Sequence, residues 1–411
     1  MLSVAGAARD VLAVLLATSA AYNVAVSLVA ARFRRRARTA VHPLERAPGV
    51  SVLVPLAGFE PTLAENLAAY CRLRYPGPVQ IVAGSLDAGD PALAVARAVQ
   101  REHPHVDFRV VTAVASGGPN RKAVLLEALT HEARHHIVAA IDSDVRVGDD
   151  YLIRLVAALQ RPSVGLVTCY YRAPRPRSLA QTFEALCINT DFVPSVMVAT
   201  ALGRGDVAFG ASLLLRRDTL DAIGGFAALA DYLADDHRLA ELVIEHGERV
   251  VVAPYVVETD PNPSGVAAAV RHQLRWARTT RACAPVGYAA NIVTHGTTFA
   301  LLAMLSVGHV ALLRLGAVAA VLVSRLVAAA LGVRALGARL GWMLWLVPLR
   351  DLVGTALWVA SFASDRVEWR GRSYRIGADG RLVRLALPAA APAAAVTPPA
   401  TEPAERLPAA S

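Results

Sequence analysis

Two carboxylates separated by one residue stand directly after an apolar run. Asp142 and Asp144 follow the segment 136–141. Open α/β sheets bind ligands at the carboxyl ends of their strands, and paired carboxylates can bind a hard cation such as Mg²⁺ or Mn²⁺. Such a cation would neutralise a nucleotide diphosphate. A polar turn at a strand end is the alternative interpretation of these residues.

Asp87 is another acidic residue that follows a predicted strand. It comes after the apolar run 79–85, so it could lie beside Asp142 at one edge of the sheet and bind the base or ribose of a nucleotide. A simple turn is the competing interpretation of Asp87. Asp90, which precedes Pro91, is better explained as a helix N-cap.

Asp235 and Asp236 form an acidic pair at the start of a predicted helix. The helix dipole favours carboxylates there, so ordinary helix-terminal charge is one explanation. A reaction at an alcohol, in contrast, requires a base to take the hydroxyl proton, and a carboxylate near a like charge is suited to that role. One member of the pair can cap the helix while the other reacts.

Asn120 and Lys122 follow a Ser-Gly-Gly-Pro turn and offer a cation for a phosphate. The loop lacks the Gly-x-x-x-x-Gly-Lys pattern, which excludes a P-loop. The sequence also contains no Gly-x-Ser-x-Gly or His-Glu-x-x-His motif, which argues against an esterase or a metalloprotease.

His272, Arg275 and Trp276 lie on a basic helical stretch at 266–281. A guanidinium can bind a leaving diphosphate, and an indole face can cover a sugar or an acceptor chain. A membrane-surface helix with Arg and Trp at headgroup level is the alternative.

The elements that must position these residues alternate along the chain. Apolar runs bounded by turn residues alternate with helical patterns, which predicts an α/β fold with a mainly parallel sheet. The predicted strands are 50–55, 79–85, 108–112, 137–141, 164–170, 208–215 and 249–257, and the predicted helices are 62–71, 91–102, 122–133, 236–246 and 266–281. The stretch 178–202 fits either an interfacial or a core helix.

The composition indicates that lipid solvates part of the chain. Hydrophobic residues make up 55% of the 411 residues and charged residues 18%, against roughly a quarter charged in soluble domains. The segment 11–31 has the ~20 residues that a membrane-spanning helix needs. Because arginines follow this segment from Arg32 onward, it predicts an uncleaved anchor with the following residues in the cytoplasm.

The net charge of +9 comes largely from arginine. Arginine beside apolar segments suits anionic headgroups and phosphates, and no aromatic-interleaved basic patch argues for a nucleic-acid partner. The four cysteines are widely spaced, which supports neither a disulfide framework nor a zinc site.

Apolar segments at 295–313, 315–331 and 341–362 predict further membrane contact, and the last contains Arg350 and Asp351. Adjacent charges within such a segment normally face protein or water, which is consistent with a functional or re-entrant role. Three full spans would leave the arginine-rich stretch 366–384 outside, against the positive-inside tendency, so a re-entrant segment is one solution.

The ordered acidic and aromatic residues, flanked by membrane segments, resemble the ceramide glucosyltransferase family within the processive-type GT-A glycosyltransferases. The resemblance runs from about residue 50 to about residue 380. It rests on Asp87, Asn120, Lys122, Asp142-Ser143-Asp144, Gly210-Ala211-Ser212, Asp236, Arg275-Trp276, Arg350-Asp351 and the stretch 369–375. This chain departs from the family at His272, where Gln or Arg is usual, and at Asp144, which is an extra carboxylate.

The resemblance implies a metal-dependent, inverting hexosyltransferase of the inner membrane, with several membrane passes, a UDP-sugar donor, a lipid acceptor and a divalent cation, Mg²⁺ or Mn²⁺. It implies that Asp87 and Asp142 bind the nucleotide and the metal and that Asp236 is the base. Arg275 and Trp276 would close the diphosphate and acceptor site. The remaining implied contacts are a metal ligand at Asp144 and substrate contacts at Asn120, Lys122, Asp235 and His272.

The implied organisation is an N-terminal anchor at 1–33, a basic linker at 34–48, a cytoplasmic GT-A domain at 49–290, membrane segments at 291–363, a basic juxtamembrane segment at 364–385 and a disordered Ala/Pro-rich tail at 386–411. The bacterial branch of the resemblance includes hopanoid-biosynthesis enzymes that transfer N-acetylglucosamine to bacteriohopanetetrol. The Ala/Arg/Val-rich composition suits a high-GC bacterial source, so the bacterial branch of the resemblance favours a hopanoid acceptor over ceramide. A processive polysaccharide synthase and a non-catalytic membrane scaffold or transporter component are the alternatives.

Overall fold

The computed structural model describes residues 4–39, 44, 46–114, 117–204, 206–260, 263–305, 311–369 and 372–385. The α-helices are α1 (Val4–Ala37), α2 (Leu63–Cys71), α3 (Pro91–Glu102), α4 (Arg121–Thr130), α5 (Tyr151–Leu159), α6 (Leu179–Leu186), α7 (Val193–Ala201), α8 (Arg217–Ala222), α9 (Asp235–Glu245), α10 (Val266–Cys283), α11 (Pro285–Ala290), α12 (Gly296–Leu305), α13 (Ala311–Leu336) and α14 (Val347–Ser361). The strands are β1 (Val50–Pro55), β2 (Val79–Ser85), β3 (Asp107–Thr112), β4 (Ile137–Ile141), β5 (Val145–Arg146), β6 (Val164–Arg172), β7 (Ser212–Arg216), β8 (Arg249–Thr259), β9 (Arg366–Trp369), β10 (Arg372–Ile376) and β11 (Leu382–Arg384).

Eight strands form the central sheet in the order β3-β2-β1-β4-β7-β6-β8-β5. Parallel pairing joins β3, β2, β1 and β4, with Val52 opposite Ile81 on one side and Ala139 on the other. Strand β7 runs antiparallel to both β4 and β6, while β6 and β8 pair in parallel. The predicted α/β fold with a mainly parallel sheet is therefore confirmed.

Helices cover both faces of this sheet, which explains why its inner strands are mostly apolar. All residues of β1 and β4 are buried, as expected for strands without a solvent face. One apolar cluster joins the sheet to α2, α3, α5 and the ends of α1 and α13, and a second joins it to α4 and α9. The sheet therefore contacts helices of the soluble domain and also α1 and α13. These two helices belong to the segments long and apolar enough to cross a membrane, which we call membrane-type helices together with α14.

Three helical segments within the described residues are long and apolar enough to cross a membrane: Arg9–Ala37, Arg314–Leu336 and Gly341–Ser361. Helices α1 and α13 pack side by side in the same direction, and Asn23 donates a hydrogen bond to Ser324 (3.1 Å). Both helices end at the sheet domain. Arg154 donates to the carbonyl of Ala37 at the end of α1, and Arg172 donates to the carbonyl of Leu336 at the end of α13.

The C-terminal apolar segments differ from their predicted bounds. In the segment predicted at 295–313, the structure has the ten-residue helix α12. Residues 306–310 of this segment lie outside the described set. The segment predicted at 315–331 is part of the 26-residue helix α13. The segment at 341–362 begins with a 3₁₀ turn, Gly341–Leu346, and its first residue, Gly341, has a positive φ of 54°, which glycine adopts readily.

Several other bounds also differ or fall outside the described residues. Strand β7 begins at Ser212 rather than 208, because the preceding residues form a loop of the candidate site described below. Strand β5 has two residues, too few to show a period in sequence. The stretch 178–202 is helical, with a π-helical segment at Cys187–Phe192 between α6 and α7. The tail at 386–411 lies outside the described residues.

A small antiparallel sheet, β9-β10-β11, packs against the sheet domain after the last membrane-type helix. Tyr374 and Leu382 share an apolar cluster with Leu233, and the amide of Leu382 donates to the carbonyl of Asp231 (2.7 Å). Arg278 of α10 donates to the carbonyl of Arg366 (2.6 Å). The arginine-rich C-terminal strands therefore lie on the same side of the molecule as the acidic loops.

Candidate active site

Lys122 brings two of the predicted acidic sites together at the carboxyl edge of the sheet. Its Nζ lies 2.6 Å from Oδ1 of Asp142, which follows β4, and 3.9 Å from Oδ2 of Asp235 at the start of α9. Lys122 also donates to the carbonyl of Gly210 (3.1 Å). Burial opposes the charge of Lys122, but the carboxylates of Asp142 and Asp235 outweigh it and raise its pKa.

Asn120 positions this lysine rather than lining the cavity. Its side-chain oxygen accepts hydrogen bonds from the amides of Lys122 (3.0 Å) and Ala123 (3.1 Å) and so caps α4. Its side-chain amide donates to the carbonyl of Tyr232 (2.8 Å). Asn120 is buried, and these bonds connect α4 to the loop that precedes Asp235.

The Asp144 side chain is bonded to β8. Thr259 donates a hydrogen bond to its Oδ2 (2.8 Å). Burial, and then the nearby charge of Asp142, raise the pKa of Asp144 to about 6. The edge of the sheet therefore contains two close carboxylates, only one of which is paired with the lysine.

Backbone amides hold Asp236 in a single orientation. Gly210 donates its amide to Oδ2 (2.8 Å), and His237 donates its amide to Oδ1 (2.8 Å). A Cβ at position 210 would lie 3.2 Å from Nζ of Lys122 and 3.3 Å from Oδ2 of Asp236, so glycine allows this close approach. Each carboxylate oxygen of Asp236 retains a second lone pair for a substrate proton.

The neighbouring Asp235 has a different environment. Burial raises its pKa to about 6 against the opposing charge of Lys122, and the charge of Asp236 adds to the increase. Both members of the acidic pair line the same cavity. The backbone amide of Asp236 acts in the opposite direction on the Asp235 pKa, and capping of α9 by Asp235 stays a prediction.

Asp87 is exposed at the same edge of the sheet and lines the cavity. Its Oδ1 accepts the amide of Gly89 (2.9 Å), so it also shapes the turn after β2. Asp90 caps α3 as predicted and accepts the amide of Ala92 (2.9 Å).

Helix α10 closes the other side of the cavity with the three residues predicted there. The rings of His272 and Trp276 lie 4.8 Å apart, and Trp276 also packs on Phe192 at 5.9 Å. Nδ1 of His272 lies 2.8 Å from Oε1 of Glu184. Arg275 is half-buried and also lines the cavity.

Sequence reasoning did not identify Glu184. This residue lies in the partly apolar helix α6, is 3% exposed and lines the cavity. A carboxylate is rarely buried without a partner, so a Glu among apolar helical residues was the available signal. Its partner, His272, is 88 residues away and could not be identified by spacing.

Asp142 and Asp144 fit a divalent cation as a partial site. The described residues contain no group of three or more His, Cys, Asp or Glu side chains that could hold a metal alone. Mg²⁺ normally binds through one or two carboxylates together with waters and substrate phosphates. A cation would also relieve the repulsion from Asp142 that contributes to the raised pKa of Asp144.

One large cavity connects these acidic residues to the membrane-type helices. Its volume is about 1320 Å³. It extends from Asp87, Asp142 and Asp236 past His272 and Trp276 to residues of α1 and α14. Its lining residues at that far end include Tyr22, Asp191, Arg350, Asp351, Gly354 and Trp358. A substrate could therefore contact the carboxylates and the membrane-type helices at the same time.

The mainly parallel sheet, with paired carboxylates at its edge and apolar helices at both ends of the chain, defines a glycosyltransferase with a GT-A-like fold. The model of Glycosyl transferase family 21 matches residues 12–382, and the chain belongs to that family. The resemblance to ceramide glucosyltransferase-like enzymes is thereby confirmed at the level of the family.

Individual relatives are more distant. Ceramide glucosyltransferase 1 of Caenorhabditis elegans is 22% identical over 216 residues, which cover 52% of this chain and 46% of that protein. An N-acetylglucosaminyltransferase of Azorhizobium caulinodans is 26% identical over 254 residues, which cover 58% of this chain and 61% of that protein. The chain therefore matches less than two thirds of the length of either relative.

Among solved structures, a mannosyltransferase from Pyrobaculum calidifontis in complex with GDP-Man and Mn²⁺ is similar to this chain. It has 21% sequence identity and a TM-score of 0.48, and the match covers 85% of this chain and 99% of that chain.

Proposed function

We propose that the protein transfers a single sugar from a nucleotide-sugar donor to a hydroxyl group of a membrane lipid. The observation that carries this proposal is the continuity of the cavity from the carboxylates at the sheet edge to the membrane-type helices. A water-soluble donor can enter at the first end, and a lipid can enter at the second. Trp276 lies between the two ends, where an indole face can cover a sugar.

At the donor end, Asp142 and Asp144 would hold the divalent cation, and Asp87 would contact the base or ribose. The bound cation would stabilise the charge of the departing nucleotide diphosphate. Arg275 contributes a guanidinium to the same cavity and can bind the diphosphate oxygens. Lys122 holds Asp142 in position and adds a second positive charge near the phosphates.

The reaction in this proposal is a single displacement at the anomeric carbon, which inverts its configuration. Asp236 accepts the proton of the acceptor hydroxyl as its oxygen attacks the sugar, and the bond to the nucleotide diphosphate breaks. The two backbone amides on Asp236 fix the direction of its carboxylate before the acceptor arrives. The leaving group departs as a stabilised anion and needs no acid.

The donor in this proposal is a UDP-sugar, with UDP-N-acetylglucosamine preferred, and the preferred acceptor is bacteriohopanetetrol. The similarity to bacterial N-acetylglucosaminyltransferases supports the choice of sugar. The similarity to ceramide glucosyltransferases supports a lipid acceptor and makes UDP-glucose with ceramide the second candidate. A processive synthase would need a channel, and a cavity lined at its far end by residues of α1 and α14 favours single transfer.

Mass spectrometry of lipids tests this function directly. The full chain in vesicles is incubated with UDP-N-acetylglucosamine or UDP-glucose, with bacteriohopanetetrol or ceramide, and with Mn²⁺ or Mg²⁺. The expected product is a lipid that has gained the mass of one sugar. The anomeric carbon of that sugar should have the configuration opposite to that in the donor. Products with many added sugars, or hydrolysis of the donor without any lipid product, would contradict the proposal.

We also propose that the sheet domain faces the cytoplasm at the inner membrane and that the chain crosses the membrane several times. The last turn of α1 contains Arg34, Arg35 and Arg36, which favour the cytoplasmic side. Helices α1 and α13 both end at the sheet domain, and the arginine-rich strands β9 to β11 lie beside that domain. Because α1 and α13 both end at the sheet domain, the chain in this arrangement returns across the membrane between them, and α14, which leads to β9 beside the sheet domain, does not complete a crossing.

Labelling of an introduced cysteine tests the orientation. Val114 is fully exposed on the sheet domain, so V114C should react with an impermeant maleimide only after the cells are permeabilised. Native Cys169 is a poor probe for this purpose because it is buried, and burial raises its pKa to about 12. Rapid labelling of V114C from outside intact cells would overturn the orientation.

A further inference from the structure

The membrane end of the cavity contains a buried network of two arginines and two aspartates. Arg325 of α13 binds Asp351 of α14 through Nε (3.0 Å) and Nη2 (2.7 Å). Its Nη2 also binds Asp191 (2.9 Å), and its Nη1 donates to the carbonyl of Thr190 (2.9 Å). Every nitrogen of the Arg325 guanidinium therefore has a partner within the protein.

The guanidinium of Arg350 makes fewer hydrogen bonds than that of Arg325. Its Nη2 lies 3.6 Å from Asp191, and the thiol of Cys187 is a further neighbour. Its Nε and Nη1 are buried and make no hydrogen bond to the residues that the structure describes. The Arg350 side chain is only 4% exposed, yet it lines the cavity. A buried donor without an acceptor is costly, which indicates that a ligand atom belongs beside it.

Gly354 provides the space for this guanidinium. It lies one helical turn after Arg350 on α14 and also lines the cavity. A Cβ at position 354 would lie 2.7 Å from Nη1 of Arg350, closer than real Cβ atoms approach a neighbour. The glycine therefore allows Nη1 to stay beside the helix backbone at the cavity wall.

The formal charges of the network restrict the ligand. Arg325 and Arg350 are balanced by Asp191 and Asp351. A phosphate brought into this buried region would add uncompensated negative charge, which is unfavourable away from water. A neutral oxygen with free lone pairs, such as a hydroxyl or an amide carbonyl, can accept from Nε and Nη1 without changing the balance.

We propose that Arg350 is a specificity-determining residue that binds a neutral oxygen in the head of the lipid acceptor. The proposal rests on the function proposed above and narrows its substrate class to uncharged polyol or amide lipids, as opposed to lipid phosphates. Asp191 and Cys187 hold one side of the guanidinium, and the lipid oxygen occupies the other. The acceptor hydroxyl is thereby directed from the membrane end toward Asp236.

Enzyme kinetics on the full chain in nanodiscs test this role. R350K retains the charge but loses the planar fork, R350M removes the donors, and G354A displaces Nη1 while leaving the arginine in place. Each should raise the acceptor KM by roughly 10- to 100-fold, because a bond to a charged donor is lost. The affinity for UDP should stay unchanged, since donor and network are at opposite ends of the cavity. L349A is the matched control, because Leu349 is next to Arg350 on α14 but is 50% exposed.

The choice of acceptor provides the second arm of the test. Bacteriohopanetetrol and ceramide distinguish a polyol from an amide, and undecaprenyl phosphate represents the charged class. Binding of each lipid to delipidated protein is measured by native mass spectrometry, which needs no turnover. Retention of a neutral lipid by the wild type and its loss in R350K and G354A would support the proposal even if no lipid were glycosylated, in which case only the proposed function would fail. Equal lipid binding by all variants, or preferred binding of undecaprenyl phosphate, would overturn it.

Discussion

The two ends of the cavity both contain buried charges, but they differ in charge balance. At the sheet edge, Asp142, Asp144, Asp235 and Asp236 face one ammonium group, that of Lys122. At the membrane end, two guanidinium groups face two carboxylates. The first end has an excess of negative charge that a cation can offset. The second end is balanced in charge, but the described residues provide no hydrogen-bond acceptor for Nε and Nη1 of Arg350.

This difference shows how charge balance indicates which type of ligand each end can bind. Burial, together with the neighbouring carboxylate of Asp142, raises the pKa of Asp144 and favours either protonation or metal binding. The balanced network at the membrane end favours neither protonation nor metal binding. Its unsatisfied donors, Nε and Nη1 of Arg350, therefore favour a neutral hydrogen-bond acceptor. Substitutions at each end should therefore affect different substrates.

The largest effect is expected at the proposed base. D236N should reduce transfer roughly 10²–10⁴-fold, because a positioned base is lost, while UDP affinity stays close to that of the wild type. D235N is the matched control and should be milder. The rates are measured under saturating donor and acceptor, after folding is verified by thermal denaturation. An inactive D235N beside an active D236N would exchange the two roles, and the raised pKa of Asp235, about 6, makes that the rival assignment.

A smaller effect is expected at the cation site. D142N and D144N should each weaken metal-dependent UDP binding by about 10- to 100-fold, the range typical for residues that support a metal. Isothermal titration with and without Mn²⁺ measures this loss. D149N, at an exposed aspartate outside the cavity, is the control and should bind normally. Unchanged affinity in both site variants would remove the paired carboxylates from donor binding.

The acid–base properties of the sheet edge predict a pH effect on stability. Asp144 and Asp235 have pKa values of about 6 in the folded protein, above the usual value of 3.8. The folded state therefore binds more protons than the unfolded state between about pH 4 and pH 6, and stability falls as pH rises through that window. In thermal denaturation without metal, Tm should fall from pH 4 to pH 7. Mn²⁺ with UDP should reduce the fall, and a Tm that rises over this range would contradict the charge excess.

The sequence predicts the donor end far better than the membrane end. Strands β1, β2 and β4 are continuous apolar runs followed by turn residues, so their ends and the carboxylates after them follow from local pattern. Arg350 and Asp351 are visible in the sequence as charges in an apolar segment. Their partners are not, because Arg325 and Asp191 come from other helices and join through packing of distant segments.

Contacts between distant loops are also not predictable from the sequence. Asn120 is visible as a polar residue before a helix, but its bond to the carbonyl of Tyr232 spans 112 residues and depends on the order of strands in the sheet. The 3₁₀ turn at Gly341–Leu346 before α14 likewise leaves no mark in the apolar pattern of the segment 341–362. Hydropathy reports which residues avoid water and does not fix where a helix breaks.

The smallest effect is expected at Glu184, which lies between the two ends of the cavity. Its carboxylate binds His272, and the His272 ring contacts Trp276, so Glu184 acts as a positioning residue for the indole face. E184L removes the hydrogen bond and should raise the acceptor KM by roughly 3- to 10-fold with little change in kcat, since such a bond contributes about 1 kcal/mol.

E184Q keeps an oxygen that can accept from His272 and should restore most of the acceptor affinity, which separates positioning from a general loss of packing. Steady-state kinetics with varied acceptor measure both parameters, and Tm identifies any global destabilisation. A purely structural role would lower kcat and Tm together in E184L and leave KM unchanged. If E184Q were as impaired as E184L in acceptor KM, the negative charge of Glu184 itself would be required, and the middle of the cavity would resemble the charged donor end rather than the neutral membrane end.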